Sequence, residues 1–233
     1  MLKHAIRRNM HVRVQSMGKA SYENILNLQK QYQNQLMRGD APEAGRLLLV
    51  EHEPAVYTSG RASSKIESNR DDILKTSRGG QVTWHGPGQV VMYPILDLSK
   101  SPPFRKDLRW YVNSVEEVAI RVLNTFGLKG SRHCEHTGVW IGNKKVAAIG
   151  ISVSKWVTMH GMALNVCNDL EPFYDGIVPC GIEDEDLGVT TISNELSRNV
   201  TVDEVTSRVL DMFQEVFCVR ARSARASPQN PKL

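Results

Sequence analysis

Four side chains in this sequence combine reactivity with unusual surroundings. Cys180 stands in GIVPCGI, where a proline before and a glycine after hold the thiol in a rigid, irregular loop. A thiol in such a place is a candidate nucleophile once something favours its thiolate. Lys145, in GNKKVAAIG, is a candidate for that task. Strand alternation turns it opposite to Val146 and the same way as Ala147, among small residues that leave room around it. Burial disfavours a charged amine, and an ammonium beside a thiol favours the thiolate, so such a lysine can act as base or activator. Lys144 next to it is expected to face water. His85 and His160 each precede a glycine, in TWHGPGQ and TMHGMAL, and each is a candidate for shaping a pocket. The plainer readings are a packing cysteine, a solvated hairpin lysine and two hydrogen-bonded core histidines.

The stretch RGGQVTWHGPGQVVMY, residues 78–93, carries Gly79, Gly80, Gly86 and Gly88. It fits neither G-x-x-x-x-G-K-[ST] nor G-x-G-x-x-G. A strand-like run follows Gly88, so no helix N-terminus is available to hold a phosphate. The glycines instead let two backbone segments approach a ligand closely, with His85 between them. The competing reading is a tight turn with a hydrogen-bonded histidine. No nearby carboxylate completes a triad, and the histidines are too scattered to argue for zinc.

Composition narrows the classes. Of 29 basic residues nine lie in two acid-free ends, leaving 20 against 25 acids in the body, so the net charge of +4 is no nucleic-acid footprint. No apolar run reaches membrane length. The four cysteines, Cys134, Cys167, Cys180 and Cys218, form no CxxC pair, and reduced thiols in a cytosolic or organellar matrix are expected. Apart from Cys180 they read as core fillers or bystanders. Residues 1–11 are basic and acid-free, as a short targeting segment would be. A single catalytic domain is expected over 12–219, with a disordered basic tail over 220–233.

The elements that must position these residues follow from periodicity. SYENILNLQKQYQNQL predicts a helix burying Ile25, Leu28, Tyr32 and Leu36. RLLLVEH and AVYTSG predict strands on either side of Glu53-Pro54, and QVVMYPILDL a long one. Asp107 can cap a helix from Leu108 to Phe126, ended by Gly127, with Tyr111, Val115, Val118, Val122 and Phe126 inward. GVWIGNKKVAAIGISVS predicts a hairpin around Gly142-Asn143, and VTMHGMALNV a further strand. Thr201 and Glu204 have capping-box spacing before a helix expected to bury Val205, Val209, Met212 and Val216. Strands outnumber helices and hairpins argue against a purely parallel sheet, so the expected class is α+β, a mixed, largely antiparallel sheet flanked by helices.

Taken together and in order, RGGQVTWHGPGQVVMYPILDL, TGVWIGNKKVAAIGISVS, HGMALNV and IVPCGI closely resemble the octanoyltransferases of lipoate biosynthesis. The likeness runs from about Val12 to about Phe217. IVPCG followed by GVTTISNELSRNVTVDEV looks most like the animal, mitochondrial branch. The resemblance implies the α/β module shared with biotin and lipoate protein ligases. It implies transfer of an octanoyl group from acyl carrier protein to a lysine on the lipoyl domains of 2-oxoacid dehydrogenases and the glycine-cleavage H protein, without a cofactor or metal. Carried over, Cys180 is the acyl-accepting nucleophile and Lys145 its activating partner. Arg78, Gly79, Gly80, Gln81, Val82, Thr83, Trp84, His85, Ala148, Ile149, Gly150, Gly161, Met162 and Ala163 would line the substrate site, with His160 in support. A basic rim including Arg78 would suit an acidic carrier protein. The resemblance further implies a monomer in the mitochondrial matrix, or in the cytoplasm of a bacterium, with no nucleic-acid or membrane partner. The acidic Glu183–Asp186 stretch is an insertion of unknown effect. The competing functions are an ATP-dependent lipoate or biotin protein ligase on the same fold, and a non-catalytic lipoyl-domain binder.

Overall fold

The computed structural model describes residues 10–62, 70–100, 102–175, 177 and 186–223. In chain order these form β1 (His11–Ala20), α1 (Tyr22–Arg38), β2 (Gly45–His52), β3 (Val56–Ser59), β4 (Ile73–Lys75), β5 (Thr83–His85) and β6 (Gln89–Leu96). Then come α2 (Leu108–Asn124), β7 (Ser131–Arg132), β8 (Val139–Ile141), β9 (Lys144–Ser154) and β10 (Val157–Asn165). The last are β11 (Gly188–Val189), α3 (Ile192–Leu196), α4 (Val202–Phe217) and β12 (Arg220–Ser223). The larger sheet runs β12-β1-β2-β6-β10-β9-β8-β7, with β11 beside β9, and a smaller sheet runs β4-β3-β5. Pairing through β2, β6, β10, β9, β8 and β7 is antiparallel, whereas β1 is parallel to both β2 and β12. The expected mixed, largely antiparallel sheet with flanking helices is what forms.

Helix starts follow their caps. Ser21, Asp107 and Thr201 accept backbone N–H bonds from Asn24, Trp110 and Glu204. Both faces of the central strands are covered, so β6 is buried along its whole length. One face, with Leu47, Leu49, Val90, Met92, Met162 and Leu164, packs against α2 and α4. The other, with Leu48, Val50, Val91, Tyr93 and Ala163, packs against α1. No helix among the described residues is long and apolar enough to cross a membrane.

Several expectations shift. In α4 the buried rungs are Val205, Val209, Phe213 and Phe217, while Met212 and Val216 are only partly covered. The helix turns its aromatic residues inward, where they remove more apolar area from water. In α1 the buried rung is Gln29, with Leu28 half-buried. A polar residue at a core position was outside the reach of apolar periodicity. α2 ends at Asn124, and Gly127 follows in the left-handed region (φ 77°) with its N–H donated to Asn124 O. Cys134 and Cys167 are exposed and Cys218 is partly so, so none of these three fills the core.

Arg220–Ser223, assigned to the disordered tail, form a strand instead. Arg220–Ser223 pair with His11–Val14, and the Ala221 N–H donates to Gln214 Oε1 at 2.8 Å. Main-chain pairing at a sheet edge needs no apolar side chain, and arginines there discourage further strand addition. His11, assigned to the targeting segment, is the first residue of β1. Residues 1–9 and 224–233 lie outside the described residues.

Candidate active site

The site begins with two strands that approach without side chains between them. Gly150 of β9 and Gly161 of β10 are direct partners. A Cβ on Gly161 would stand 2.1 Å from Met92 O, and one on Gly150 would stand 2.9 Å from Arg78 Cδ and 3.0 Å from Gly79 O. The glycine loop is therefore laid on the outer edge of β9, fixed by a Gly79 N–H bond to Ile151 O at 2.8 Å. The close approach expected of the loop glycines is realised against the protein's own strand.

Between the loop, β6, β9, β10 and the start of α1 lies a cavity of about 190 Å³. That exceeds the ~150 Å³ that admits a benzene-sized ligand. Its lining takes in Lys145, Arg78, Gly80, Gln81, Thr83 and His85, with Ala148, Ile149 and Gly150 from β9 and His160, Gly161, Met162 and Ala163 from β10. Gly79, Val82 and Trp84 are not part of it. Val82 and Trp84 pack under the smaller sheet with Tyr57, Phe173, Ile177 and Val189, because alternation along β5 sends Trp84 away from Thr83 and His85. Cys180 and residues 183–185 lie outside the described residues.

Lys145 is 4% exposed, its Nζ 4.9 Å from the centre of the Trp140 ring. Trp140 is its partner on β8, and its indole N–H donates to His136 O at 3.3 Å. The His133 ring lies 4.9 Å from the same indole. Among the described residues no carboxylate pairs with Lys145. Lys144 is exposed, as expected.

Arg78 departs from the expected basic rim. It is 6% exposed, and its guanidinium donates to Thr58 O at 2.7 Å, Thr58 Oγ1 at 2.9 Å and Gly79 O at 3.1 Å. Its charge is directed inward, where it ties the glycine loop to β3. His160 sits in the left-handed region (φ 62°), an uncommon place for a non-glycine residue. Its N–H donates to Gln29 Oε1 at 2.8 Å, and its Nε2 lies 3.3 Å from Ser77 Oγ. Burial, with the charges of Arg78 and Lys30, lowers its pKa to about 4. Burial does the same to His52, also to about 4, and holds His85 well below the usual imidazole range. Tyr22 is pushed up to about 12 by burial and Tyr93 well above the ordinary phenol value. The inner cavity therefore holds neutral imidazoles and neutral phenols.

Six lining residues were not foreseen: Tyr22, Val91, Tyr93, Glu135, His136 and Thr137. Carrying the helical period of α1 back one turn from Ile25 would have found Tyr22. Alternation along QVVMY would have put Val91 and Tyr93 on one face. The 135–137 stretch is a non-periodic loop and offered no signal. Among the described residues no group of three or more His, Cys, Asp or Glu side chains is arranged to hold a metal.

Comparison with known proteins shows the family. Residues 21–214 match the lipoyl protein ligase A/B catalytic domain. An octanoyltransferase of Nostoc punctiforme is 49% identical, over 74% of this chain and 74% of that one. The mitochondrial octanoyl-[acyl-carrier-protein]:protein N-octanoyltransferase LIPT2 of Danio rerio is 41% identical, over 88% of this chain and 92% of that one. Among solved structures, lipoate-protein ligase A bound with ATP superposes with a TM-score of 0.71 at 16% identity, over 93% of this chain and 90% of that one, a likeness of fold. The chain belongs to the octanoyltransferases within the lipoyl protein ligase A/B catalytic-domain family.

Proposed function

We propose that this protein transfers an octanoyl group from acyl carrier protein to a lysine of lipoyl domains, through a thioester on Cys180. The observation that carries this reading is Lys145, a buried lysine beside a cavity of about 190 Å³, with no carboxylate partner among the described residues. A lysine so placed is suited to exchange protons with reacting groups rather than to hold a structural ion pair.

In the first half-reaction Cys180 Sγ attacks the thioester carbonyl. The bond from that carbon to the carrier's sulfur breaks, and the departing thiol takes the proton that Lys145 received from Cys180. In the second half the acceptor lysine's amine attacks the Cys180 thioester, an amide forms, and the Cys180 thiol is regenerated. Lys145 takes the proton that the attacking amine loses and returns one to the leaving sulfur. Exchange of one thioester for another is nearly isoenergetic and aminolysis is downhill, so no nucleotide is consumed. A covalent intermediate of this kind gives ping-pong kinetics. Val91, Ala148 and Ala163 offer the acyl chain a path of hydrocarbon.

The acceptors are lipoyl domains of 2-oxoacid dehydrogenases and the glycine-cleavage H protein. The mitochondrial matrix is the proposed location, following the Danio rerio relative and a mitochondrial relative of Drosophila melanogaster. Mass spectrometry after incubation with octanoyl carrier protein tests the reading: an octanoyl adduct on Cys180, absent from Cys180→Ser, is the expected result. The likeness to an ATP-bound ligase keeps a second reading in play. Undiminished modification of a lipoyl domain by Cys180→Ser with free octanoate and ATP establishes that one instead.

A further inference from the structure

The cavity changes character along its length, and on the acyl-transfer reading that change bears on which chains it accepts. Its outer part is open: Gly80, Glu135 and Thr137 are exposed. Its middle is hydrocarbon, from Val91 and Ala163, which are 0% and 4% exposed. Beyond this the walls become polar rings. Tyr22, His85, Tyr93 and His160 all face the cavity, and all are buried. His160 pairs with Ile151, six positions along β9 from Lys145, about 20 Å of strand. The reactive end and the polar end are thus at opposite limits of the site.

The polar end is held from behind. Tyr93 donates its hydroxyl to His52 Nε2 at 2.8 Å, which leaves the His52 Nδ1–H to donate to Ala20 O at 3.1 Å. Tyr22 stacks on His85, with ring centres 6.0 Å apart and planes within 10°. Asn165 Nδ2 donates to Thr190 O, so Asn165 Oδ1 accepts from Gln89 Nε2 at 2.9 Å. Gln89 Oε1 is then left to accept from the His85 Nδ1–H at 3.3 Å. His160 is fixed by its N–H bond to Gln29, and its buried Nδ1 has no partner among the described residues.

We propose that these four rings, Tyr22, His85, Tyr93 and His160, form an acyl-length stop that confines the site to medium-chain acyl thioesters. A floor of leucine or methionine would repack around an extra methylene, but Tyr93 and His85, held by hydrogen bonds, do not yield without losing them, and Tyr22 is stacked on His85. A methylene that finds apolar surface raises affinity about fourfold. One pressed on this floor covers polar atoms instead, and the gain reverses.

The test measures chain length in two ways on the full chain. Calorimetric titration with free hexanoate, octanoate, decanoate and dodecanoate reads the cavity, and Cys180 acylation from carrier thioesters of the same lengths reads transfer. In the natural protein affinity rises about fifteenfold from six to eight carbons and falls at least tenfold by twelve. Tyr22→Ala, which opens the floor, moves the optimum to ten or twelve carbons. Ala163→Val, which narrows the hydrocarbon middle, moves it to six. An unchanged profile in folded Tyr22→Ala overturns the stop. Should Tyr22→Ala fail to fold by circular dichroism, Ala163→Val decides, an unchanged optimum again overturning it. Length-selective binding without a Cys180 adduct removes the transfer reading and leaves the stop standing. A Cys180 adduct formed equally fast from eight and twelve carbons keeps transfer and removes the stop.

Discussion

The two faces of the large sheet are built from the same strands and put to different use. Toward α2 and α4 the sheet turns Leu47, Leu49, Val90, Met92 and Leu164, and the helices answer with Val115, Val118, Val122, Phe213 and Phe217, all at most 2% exposed. Phe217 alone meets Phe104, Trp110, Tyr111 and Phe213 ring to ring. Toward α1 the same strands turn Val91, Tyr93 and Ala163, and the helix answers with Tyr22, Ile25 and the buried Gln29. Here the interior includes His52, His85 and His160 and keeps an open cavity. One face is filled with hydrocarbon; the other gives up packing to hold polar groups around a space. On the proposed acyl-transfer reading, the second face is the one that meets the substrate.

Perturbing each face in turn breaks or sharpens this contrast. The largest effect is expected from Lys145→Ala, which should slow Cys180 acylation by about 10²–10⁴-fold, the range for a positioned proton-transfer group, while the melting temperature stays close to that of the natural protein. Rapid-quench mass spectrometry measures it; near-normal acylation removes Lys145 from the mechanism. On the filled face, Phe217→Ala should cost about 3–5 kcal/mol in urea unfolding, with length selectivity of the surviving folded fraction unchanged.

Acid should strike the cavity face. His52 and His160 have pKa values of about 4 in the folded protein against about 6.5 when unfolded. Between those values the unfolded chain binds protons that the folded chain refuses, so stability falls as pH drops from about 6.5 to about 4, by roughly 3 kcal/mol per ring. Above pH 7 neither ring contributes to the slope. Urea unfolding at pH 7 and pH 4.5 reads the difference, and His52→Gln should flatten it; an unaltered slope in that variant would place the acid sensitivity elsewhere. The smallest effect expected is that of Trp140→Leu. Loss of an indole 4.9 Å from Lys145 Nζ removes an attraction of about 0.5–2 kcal/mol. Acylation should slow by roughly 2- to 30-fold, with Trp140→Phe in between. Equal rates in all three proteins would show that the indole serves packing alone.

Much of this was legible in the sequence, and the exceptions have identifiable causes. The Gly142-Asn143 hairpin could be read because glycine supplies the positive φ of 57° that such a loop needs. The next hairpin, β9 to β10, turns on Lys155 and Trp156 at φ 48° and 66°. No glycine or asparagine marks it; the turn is held by the pairing of Ser154 with Val157 and by a Leu98 N–H bond to Trp156 O at 2.8 Å. Lys145, His85 and His160 were found as separate candidates because each has a distinctive local context. Trp84 was assigned to the site by adjacency in the glycine loop, yet alternation along a three-residue strand carries it to the other side.

The principal helices and strands, the caps, the class of sheet and the candidates for chemistry were legible locally, since these depend on neighbours within a few positions. That Gly150 faces Gly161, that Arg78 turns inward to Thr58, and that Tyr22, His85, Tyr93 and His160 line a single cavity came from the folded chain alone. Those relations join residues up to 138 positions apart in the numbering. They follow from strand register and the burial of side chains from several elements at once, which no local pattern encodes.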